Sequence, residues 1–328
     1  MYKSLASTPQ DVSQWSRRCT DQRLHAVGVA LLLALLPLVA GGFWLYSASL
    51  VMTYGVSVLS VSMLYRFSGE VSIGHNFFMA IGAYTVAILQ TAHGVPFLLG
   101  LAAGVALSVV MGVLFAWPSR KLSGIYLSVA TMALGLCVPE LLLYGSKITG
   151  GFEGLFVDTQ IISGVPDELQ QYYVALIALC LSIVVVHRFR QSRIGLAVMI
   201  ARDHPHAAAS FGMKTGHARV SVFALSAALG GLGGGVFAFT TSMVSPNTFS
   251  FGNALTLLVG AVASLYSTRI YGAVVGAAFI TVVPQLLSNY GQFILIIYGF
   301  ALVGIILLSN VIMPSLLRRF RRRRPHHV

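Results

Sequence analysis

The chain has 328 residues, of which 56% are hydrophobic and only 9% are charged, and its mean hydropathy is +0.82. Soluble domains carry about 25% charged residues, so this composition excludes a soluble protein, because there is too little charge to cover a surface that faces water. The net charge of +12 would suit a nucleic-acid-binding protein, but the basic residues are scattered over short segments, and no nucleic-acid partner is expected. Lipid is therefore the expected solvent.

Membrane-spanning helices are predicted by six long stretches without Asp, Glu, Lys or Arg: residues 24–65, 71–119, 122–139, 169–187, 220–268 and 270–317. A helix that crosses the hydrocarbon core needs about 20 apolar residues, so four stretches hold two spans each and two hold one. The prediction is an all-α polytopic membrane protein of about ten helices, near residues 26–46, 47–65, 77–91, 96–116, 123–144, 172–187, 219–241, 252–268, 270–287 and 290–310.

Positive charge predicts the orientation of the chain. Ten spans place both termini on one side of the membrane, and that side carries every Lys and Arg except Lys147. Lys and Arg concentrate in cytoplasmic loops, so both termini are expected in the cytoplasm. The predicted parts are a cytoplasmic N-terminal segment (1–25), a transmembrane domain (26–310) and a basic tail (311–328) that contacts anionic lipid. Within the transmembrane domain, an outer loop is predicted at 145–171 and a cytoplasmic loop at 188–217.

Gly and Ser interrupt the apolar pattern between the second and third predicted spans, from Ser68 to Asn76. Non-helical backbone at membrane depth survives only where protein or water surrounds it, so this segment is predicted to be a broken or re-entrant helix that faces the bundle. Ser72, His75 and Asn76 are polar side chains at this break and are candidates for the translocation pathway. The alternative is that they only form hydrogen bonds with the freed backbone.

An internal similarity accompanies the predicted division into five plus five spans. A Ser-x-Gly pattern followed by Gly-Ala occurs at residues 72–83 and again at 250–261. Halves with an odd number of spans enter the membrane from opposite sides, which is the arrangement of an inverted repeat. These residue types are common, so a chance match is the alternative.

The sequence contains no catalytic motif. It has no HExxH, no metal site is predicted, and the glycine cluster at 230–235 lies in an apolar span without the Lys-Ser/Thr of a phosphate-binding loop. That cluster is predicted to let helices pack closely. Membrane carboxylates are default functional candidates, but Glu70 is expected to pair with Arg66, and Glu140 to reach the outer interface. The chain is not expected to be an enzyme.

The cytoplasmic loop carries a pattern that is typical of one family, with matches at Ser192, Gly195, Ala197, Arg202, Asp203, Ala207, Ala208 and Gly212. Three further blocks agree in order and spacing, at residues 69–84, 131–154 and 223–277. Over roughly residues 50–310, the chain resembles ABC-importer permeases of the branched-chain amino-acid and urea type. The resemblance implies a type II-like permease that works by alternating access in a bacterial inner membrane.

The resemblance also implies partners. They are a second, homologous permease, two cytoplasmic ATPases that bind ATP and Mg²⁺, and a periplasmic or lipid-anchored solute-binding protein; this chain itself binds no cofactor. Contact with an ATPase is implied for Gly195, Arg202, Asp203, Ala207, Ala208 and Gly212. Contact with the binding protein is implied for the outer-loop residues Thr149, Gly150, Gly151 and Glu153.

The expected substrate is a branched-chain amino acid, an amide, urea or a similar small polar solute. The chain departs from the family pattern at Leu136, where an acidic residue is frequent, and at residues 265–269, where a Gly-rich turn is usual. These departures leave the solute open. Two alternatives are a sugar-type ABC permease and a secondary transporter or channel that works without ATPases; the latter is disfavoured because the spans hold few ionisable groups.

Overall fold

A computed structural model describes residues 33–38, 41–120, 122, 124–204, 208, 210, 215–265, 272–287, 299–300 and 303. The predicted N-terminal segment, the basic tail, nearly all of the last predicted span, and the coupling residues Ala207 and Gly212 lie outside these residues. Within them, the fold is almost entirely helical.

The helices of this part of the chain are α1 (Gly42–Ser68), α2 (Asn76–His93), α3 (Phe97–Ser119), α4 (Ile125–Tyr144), α5 (Asp167–Gln191), α6 (Arg193–Asp203), α7 (Thr215–Thr241), α8 (Phe251–Leu265) and α9 (Gly272–Leu286). Short helical turns lie at residues 36–38, 146–149 and 246–249. Two strands of two residues, β1 (Leu155–Phe156) and β2 (Met243–Val244), pair antiparallel, with Leu155 opposite Val244. This pairing is a small addition to the predicted all-α class.

Five of the described helices are long and apolar enough to cross a membrane: α1, α3, α4, α5 and α7. Helices α8 and α9 are apolar but have 15 residues each, which at a rise of about 1.5 Å per residue is roughly 22 Å. The described residues therefore support a multi-pass membrane protein, while the number of ten spans stays a prediction.

The predicted boundary between the first two spans is wrong. Helix α1 runs without a break from Gly42 to Ser68, straight through residues 46 and 47. The residue before it, Gly41, has an extended backbone with φ −72° and ψ 163°, so the helix begins at the Gly41–Gly42 pair. The spacing of charges measures the total length of an apolar stretch but does not locate the ends of the helices within it.

Two predicted loops are shorter than expected. The outer loop ends at Pro166, because α5 begins at Asp167; acidic residues in a first turn stabilise a helix by their interaction with its dipole. At its other end α5 continues to Gln191, and α7 begins at Thr215. The cytoplasmic loop therefore lies within 192–214 and contains α6.

Helices α1 and α7 form the centre of the bundle. Helix α7 packs against α1, α2 and α3, and α1 packs against α5, α8 and α9. A Cβ on Gly234 would overlap the carbonyl group of Met79 in α2, and a Cβ on Gly82 would lie 2.6 Å from the carbonyl carbon of Gly231. Small residues let helices approach closely in lipid, so the prediction of close packing at the glycine cluster is confirmed.

Candidate functional site

The predicted break between the second and third spans is confirmed. Gly69 ends α1 in the left-handed conformation, with φ 74°, and its N–H donates to the carbonyl oxygen of Tyr65 at 2.9 Å. The following residues are non-helical until α2 begins at Asn76. We call residues 69–75 the first break.

Helix α4 satisfies the backbone of the first break. The N–H of Ile73 donates to Thr131 Oγ1 at 3.2 Å, and Ser128 Oγ donates to the carbonyl of Val71 at 2.9 Å. A Cβ on Gly74 would lie 2.7 Å from the carbonyl carbon of Thr131, so this approach needs glycine. These freed backbone groups thus find partners inside the protein, as the prediction of a break that faces the bundle requires.

His75 joins the first break to the two central helices. Its side chain is 2% exposed, with Nδ1 3.0 Å from Ser72 Oγ and Nε2 2.9 Å from Ser226 Oγ. Ser226 Oγ donates its single hydrogen to the carbonyl of Ser60 at 2.7 Å. Ser226 therefore accepts a hydrogen bond from Nε2–H of His75, and Ser72 donates to Nδ1. This chain of bonds connects the break to α7 and α1.

Asn76 joins the first break to a second one, at residues 242–250. Its Nδ2 donates to the carbonyls of Phe249 at 2.8 Å and Gly135 at 3.2 Å, and the residue is completely buried. Its Oδ1 has no hydrogen-bond partner among the described residues and lies against Gly135. The two breaks and α4 thus meet at one side chain.

The three pathway candidates Ser72, His75 and Asn76 are therefore brought together, but inside the protein. They are buried. Asn76 bonds to backbone carbonyls, as the alternative interpretation expected, whereas Ser72 and His75 bond to side chains. A role in translocation stays a prediction.

Glycines determine the backbone conformation of the outer loop and its contact with the rest of the protein. Thr149 Oγ1 donates to the carbonyls of Leu142 and Gly145, and Gly150, Gly151 and Gly154 all have positive φ. A Cβ on Gly154 would overlap the carbonyl of Val244 in β2. The backbone of the loop therefore packs directly against the second break. Of the predicted outer residues, Gly150 and Glu153 are exposed, and Thr149 and Gly151 are buried; Phe152 between them is also exposed.

Helix α6 is anchored to its own chain by the predicted coupling residue Gly195. Ser192 accepts a hydrogen bond from the N–H of Gly195, and a Cβ on Gly195 would overlap the carbonyl of Phe189 at the end of α5. Ala208 is completely buried. An ATPase contact through these two buried residues stays a prediction.

The outward face of α6 is a stripe of which motif matching found only Asp203. Arg193, Leu196, Ile200 and Asp203 are exposed and follow one another at helical spacing; the Asp203 side chain is 66% exposed. Two apolar side chains between two charged ones form a surface to which a protein can bind. Helical periodicity in the sequence would have revealed it. We call these four residues the α6 stripe.

Charged residues at the end of the bundle that is predicted to be cytoplasmic have partners other than those predicted. Glu70 pairs with Arg219 (Nε to Oε1, 3.5 Å), and not with Arg66, whose Nη2 donates to the carbonyl of Ser264 at 2.7 Å. Burial raises the pKa of Glu70, and Arg219 opposes this shift.

Helix α4 has a face without partners in the described part of the chain. Tyr126, Val129, Ala133, Cys137 and Glu140 are exposed at helical spacing. The helix packs chiefly through its other side, against the 246–249 turn and α2. An ionisable residue within a span normally faces protein or a water-filled cavity, so lipid is an unfavourable neighbour for Glu140.

The model of a protein family, described as "Branched-chain amino acid transport system / permease component", matches residues 43–310. The chain belongs to this family. It is a permease subunit of an ABC importer, works within an ABC transporter, and is a transport protein and not an enzyme, which confirms these predictions.

Individual relatives of this permease carry different names. The chain is 26% identical over 320 residues to the "High-affinity branched-chain amino acid transport system permease protein LivM" of Escherichia coli, covering 90% of this chain and 74% of that protein. It is 26% identical over 216 residues to the "Guanosine ABC transporter permease protein NupQ" of Bacillus subtilis, covering 60% and 66%. A solved structure, "PsaBC from Streptococcus pneumoniae in complex with Fab", aligns with 13% identity and a TM-score of 0.43, covering 87% and 96%.

Proposed function

We propose that this permease carries branched-chain amino acids, or a similar small polar solute, through a bacterial inner membrane by alternating access. Partner ATPases that bind ATP and Mg²⁺ drive it. The observation that carries the proposal is the family match over residues 43–310. Branched-chain amino acids are the preferred candidate substrates because the relative named for them matches 90% of the chain, whereas the relative named for guanosine matches 60%.

The α6 stripe is the proposed docking surface for an ATPase. It lies on a helix between two spans, at the end of the bundle that carries Arg66, Arg202 and Arg219, and a concentration of Arg is typical of the cytoplasmic side. Leu196 and Ile200 are about half exposed, and a partner protein would remove these apolar side chains from water. Both chain termini are proposed to lie on this side.

A second permease is the proposed neighbour of the exposed face of α4. A partner subunit would cover its apolar side chains and provide the protein environment that Glu140 needs. The solute would pass between the two subunits. On the opposite side of the membrane, Phe152 and Glu153 are the proposed contacts for a solute-binding protein.

The ten-span inverted repeat is supported by a repeated packing pattern. Helix α7 packs against α2 and α3, which pack together, and α1 packs likewise against α8 and α9. A Cβ on Gly104 of α3 would lie 3.0 Å from the carbonyl oxygen of Gly82 in α2, and one on Gly276 of α9 would overlap the carbonyl of Gly260 in α8. Gly82 and Gly260 are corresponding residues of the internal sequence similarity.

Affinity purification of the tagged chain from its native membrane tests the proposal. We expect two ATPases and a homologous permease to co-purify in mild detergent. Replacing both Leu196 and Ile200 with Asp is expected to reduce recovery of the ATPases by at least about tenfold, since charge is not tolerated in a buried apolar contact. The exposed pair Leu98 and Leu99 of α3, changed in the same way, provides a control for effects on membrane insertion.

Two results would contradict part of the proposal: one concerns the class of transporter and the other concerns the substrate. Recovery of the chain alone, under conditions that hold a known importer together, would favour a secondary transporter or channel. If the ATPases do co-purify, the binding protein found with them is titrated with leucine, isoleucine, valine, urea, ribose and guanosine; binding of guanosine or ribose alone would exclude amino acids as the substrate.

The contact with a second permease makes a separate prediction about Cys137. In detergent, N-ethylmaleimide should react with Cys137 of the isolated chain at least about tenfold faster than in the complex, because thiol reactivity follows exposure. Peptide mass spectrometry measures the modification of each cysteine. The half-buried Cys180 of α5 is the matched control and should react equally in both samples. Equal rates for Cys137 would place the partner elsewhere.

A further inference from the structure

We infer that Arg202 is a positioning residue that transmits the movement of α6 to the first break, and that it does not bind the ATPase itself. The inference rests on the proposed function, because a partner ATPase is what would move α6. Two contacts of the Arg202 side chain with its own chain, and a path that leads from them to the centre of the bundle, carry the inference.

The first contact is with the end of α1. Arg202 Nη1 donates to the carbonyl oxygen of Arg66 at 2.6 Å. This carbonyl belongs to the last turn of α1, where carbonyl groups lack partners within the helix, and a cation at this end also interacts favourably with the helix dipole. The guanidinium group therefore caps α1.

The second contact covers the residue at which the chain leaves α1. A Cβ on Gly69 would lie 3.3 Å from Arg202 Nε and 3.4 Å from its Cγ, so the side chain lies directly over this glycine. The guanidinium carbon also lies 5.9 Å from the centre of the Tyr65 ring. Arg202 thus contacts both the last turn of α1, at Tyr65 and Arg66, and Gly69, where the first break begins.

The third element is the path from this turn to the centre of the bundle. Residues 69–75 lead without helix to His75, which is bonded to Ser226 of α7. Arg66, whose carbonyl accepts the Arg202 hydrogen bond, donates to Ser264 in the last described turns of α8. A displacement of α6 through Arg202 would therefore move the end of α1, the first break and α8 together.

The neighbouring Asp203 provides a contrast. It belongs to the exposed α6 stripe, and its ion pair with Arg202 is 3.7 Å long and open to solvent; exposed pairs of this kind contribute little. The Arg202 side chain thus reaches the end of α1, whereas the Asp203 side chain is 66% exposed. Docking and transmission can therefore be separated by substitution.

Hydrogen exchange of the purified whole complex, with and without ATP and vanadate, tests the inference. In the wild type, ATP and vanadate should change amide exchange both in α6 and at residues 66–76. Arg202→Ala should keep the ATPases bound and the response of α6, but reduce the response at 66–76 by at least about fivefold, because the hydrogen bond to a charged group is lost. Arg188→Ala, which removes an exposed cation from the last turn of α5, is the matched control and should keep the response at 66–76.

Arg202→Lys distinguishes transmission from a general defect in folding. A lysine can donate to the Arg66 carbonyl but has no planar group to cover Gly69, so we expect an intermediate response. Loss of the ATPases from Arg202→Ala would make Arg202 a docking residue and overturn the inference, as would an unchanged response at 66–76. Absence of ATPases from the wild-type complex is a different result, which overturns the proposed function and this inference with it.

Discussion

Gly234→Ala is expected to lower the free energy of unfolding by about 3 kcal/mol, the upper part of the usual range for overpacking. The new Cβ would overlap the carbonyl oxygen of Met79 and lie 2.6 Å from its carbonyl carbon. These are backbone atoms, which cannot rotate away as a side chain can, so α7 and α2 must separate. Lipid provides no hydrophobic driving force between helices, and the lost packing is therefore not replaced.

Gly100→Ala is the matched control for that substitution. A Cβ on Gly100 of α3 would lie 3.5 Å from Val86 Cα, an ordinary contact, and alanine favours a helix by up to about 1 kcal/mol relative to glycine. This variant should unfold at the wild-type temperature or above it. The measurement is thermal unfolding in mild detergent, followed by intrinsic fluorescence together with the fraction of monodisperse protein. Equal unfolding temperatures for the two variants would show that α7 and α2 are not in this close contact.

His75→Ala is expected to destabilise the protein by about 3 kcal/mol, through a cavity and two buried hydroxyl groups that lose a partner. Ser72 and Ser226 are those groups, and the edge of the Phe78 ring, with its centre 5.3 Å from that of His75, would also lose a contact. Ser226→Ala should have a similar but smaller effect, because it leaves the Ser60 carbonyl and Nε2 of His75 without their partner.

His93→Ala is the control, since His93 is exposed at the end of α2; an exposed substitution should change stability by at most about 0.5 kcal/mol. Unfolding in detergent and solute uptake in liposomes are measured for all three variants. If His75→Ala unfolds like the wild type but abolishes uptake, the main role of His75 is not to join the helices through Ser72 and Ser226. Its role as a pathway residue would then gain support.

The junction at His75 and Asn76 matters for the proposed mechanism because both breaks meet there. Asn76 bonds to Phe249 at the end of the second break, and β2 in that break pairs with the outer loop. The first break begins at Gly69, under Arg202. Segments that absorb changes in φ and ψ between rigid helices are where hinge motions occur, so signals from the two membrane faces would converge on this site.

Much of the fold could be predicted because its causes are local or compositional. The low fraction of charged residues required lipid as the solvent, and Gly69 with its neighbours marked a break that the structure contains. The glycine cluster at 230–235 indicated close helix packing. The motifs of the cytoplasmic loop indicated the family, since a set of short patterns in fixed order identifies a fold even when each pattern is weak.

Which side chains bond to each other could be determined only from the folded chain. His75 bonds to Ser226, 151 residues away, and Glu70 pairs with Arg219 and not with the nearby Arg66. Arg202 bonds to the carbonyl of Arg66, 136 residues away, although its neighbour Asp203 is largely exposed. A sequence pattern reports what each segment is, because hydrophobicity and backbone preference are properties of neighbouring residues. Which side chains meet depends on how the helices cross, and the packing of the whole bundle sets those crossings.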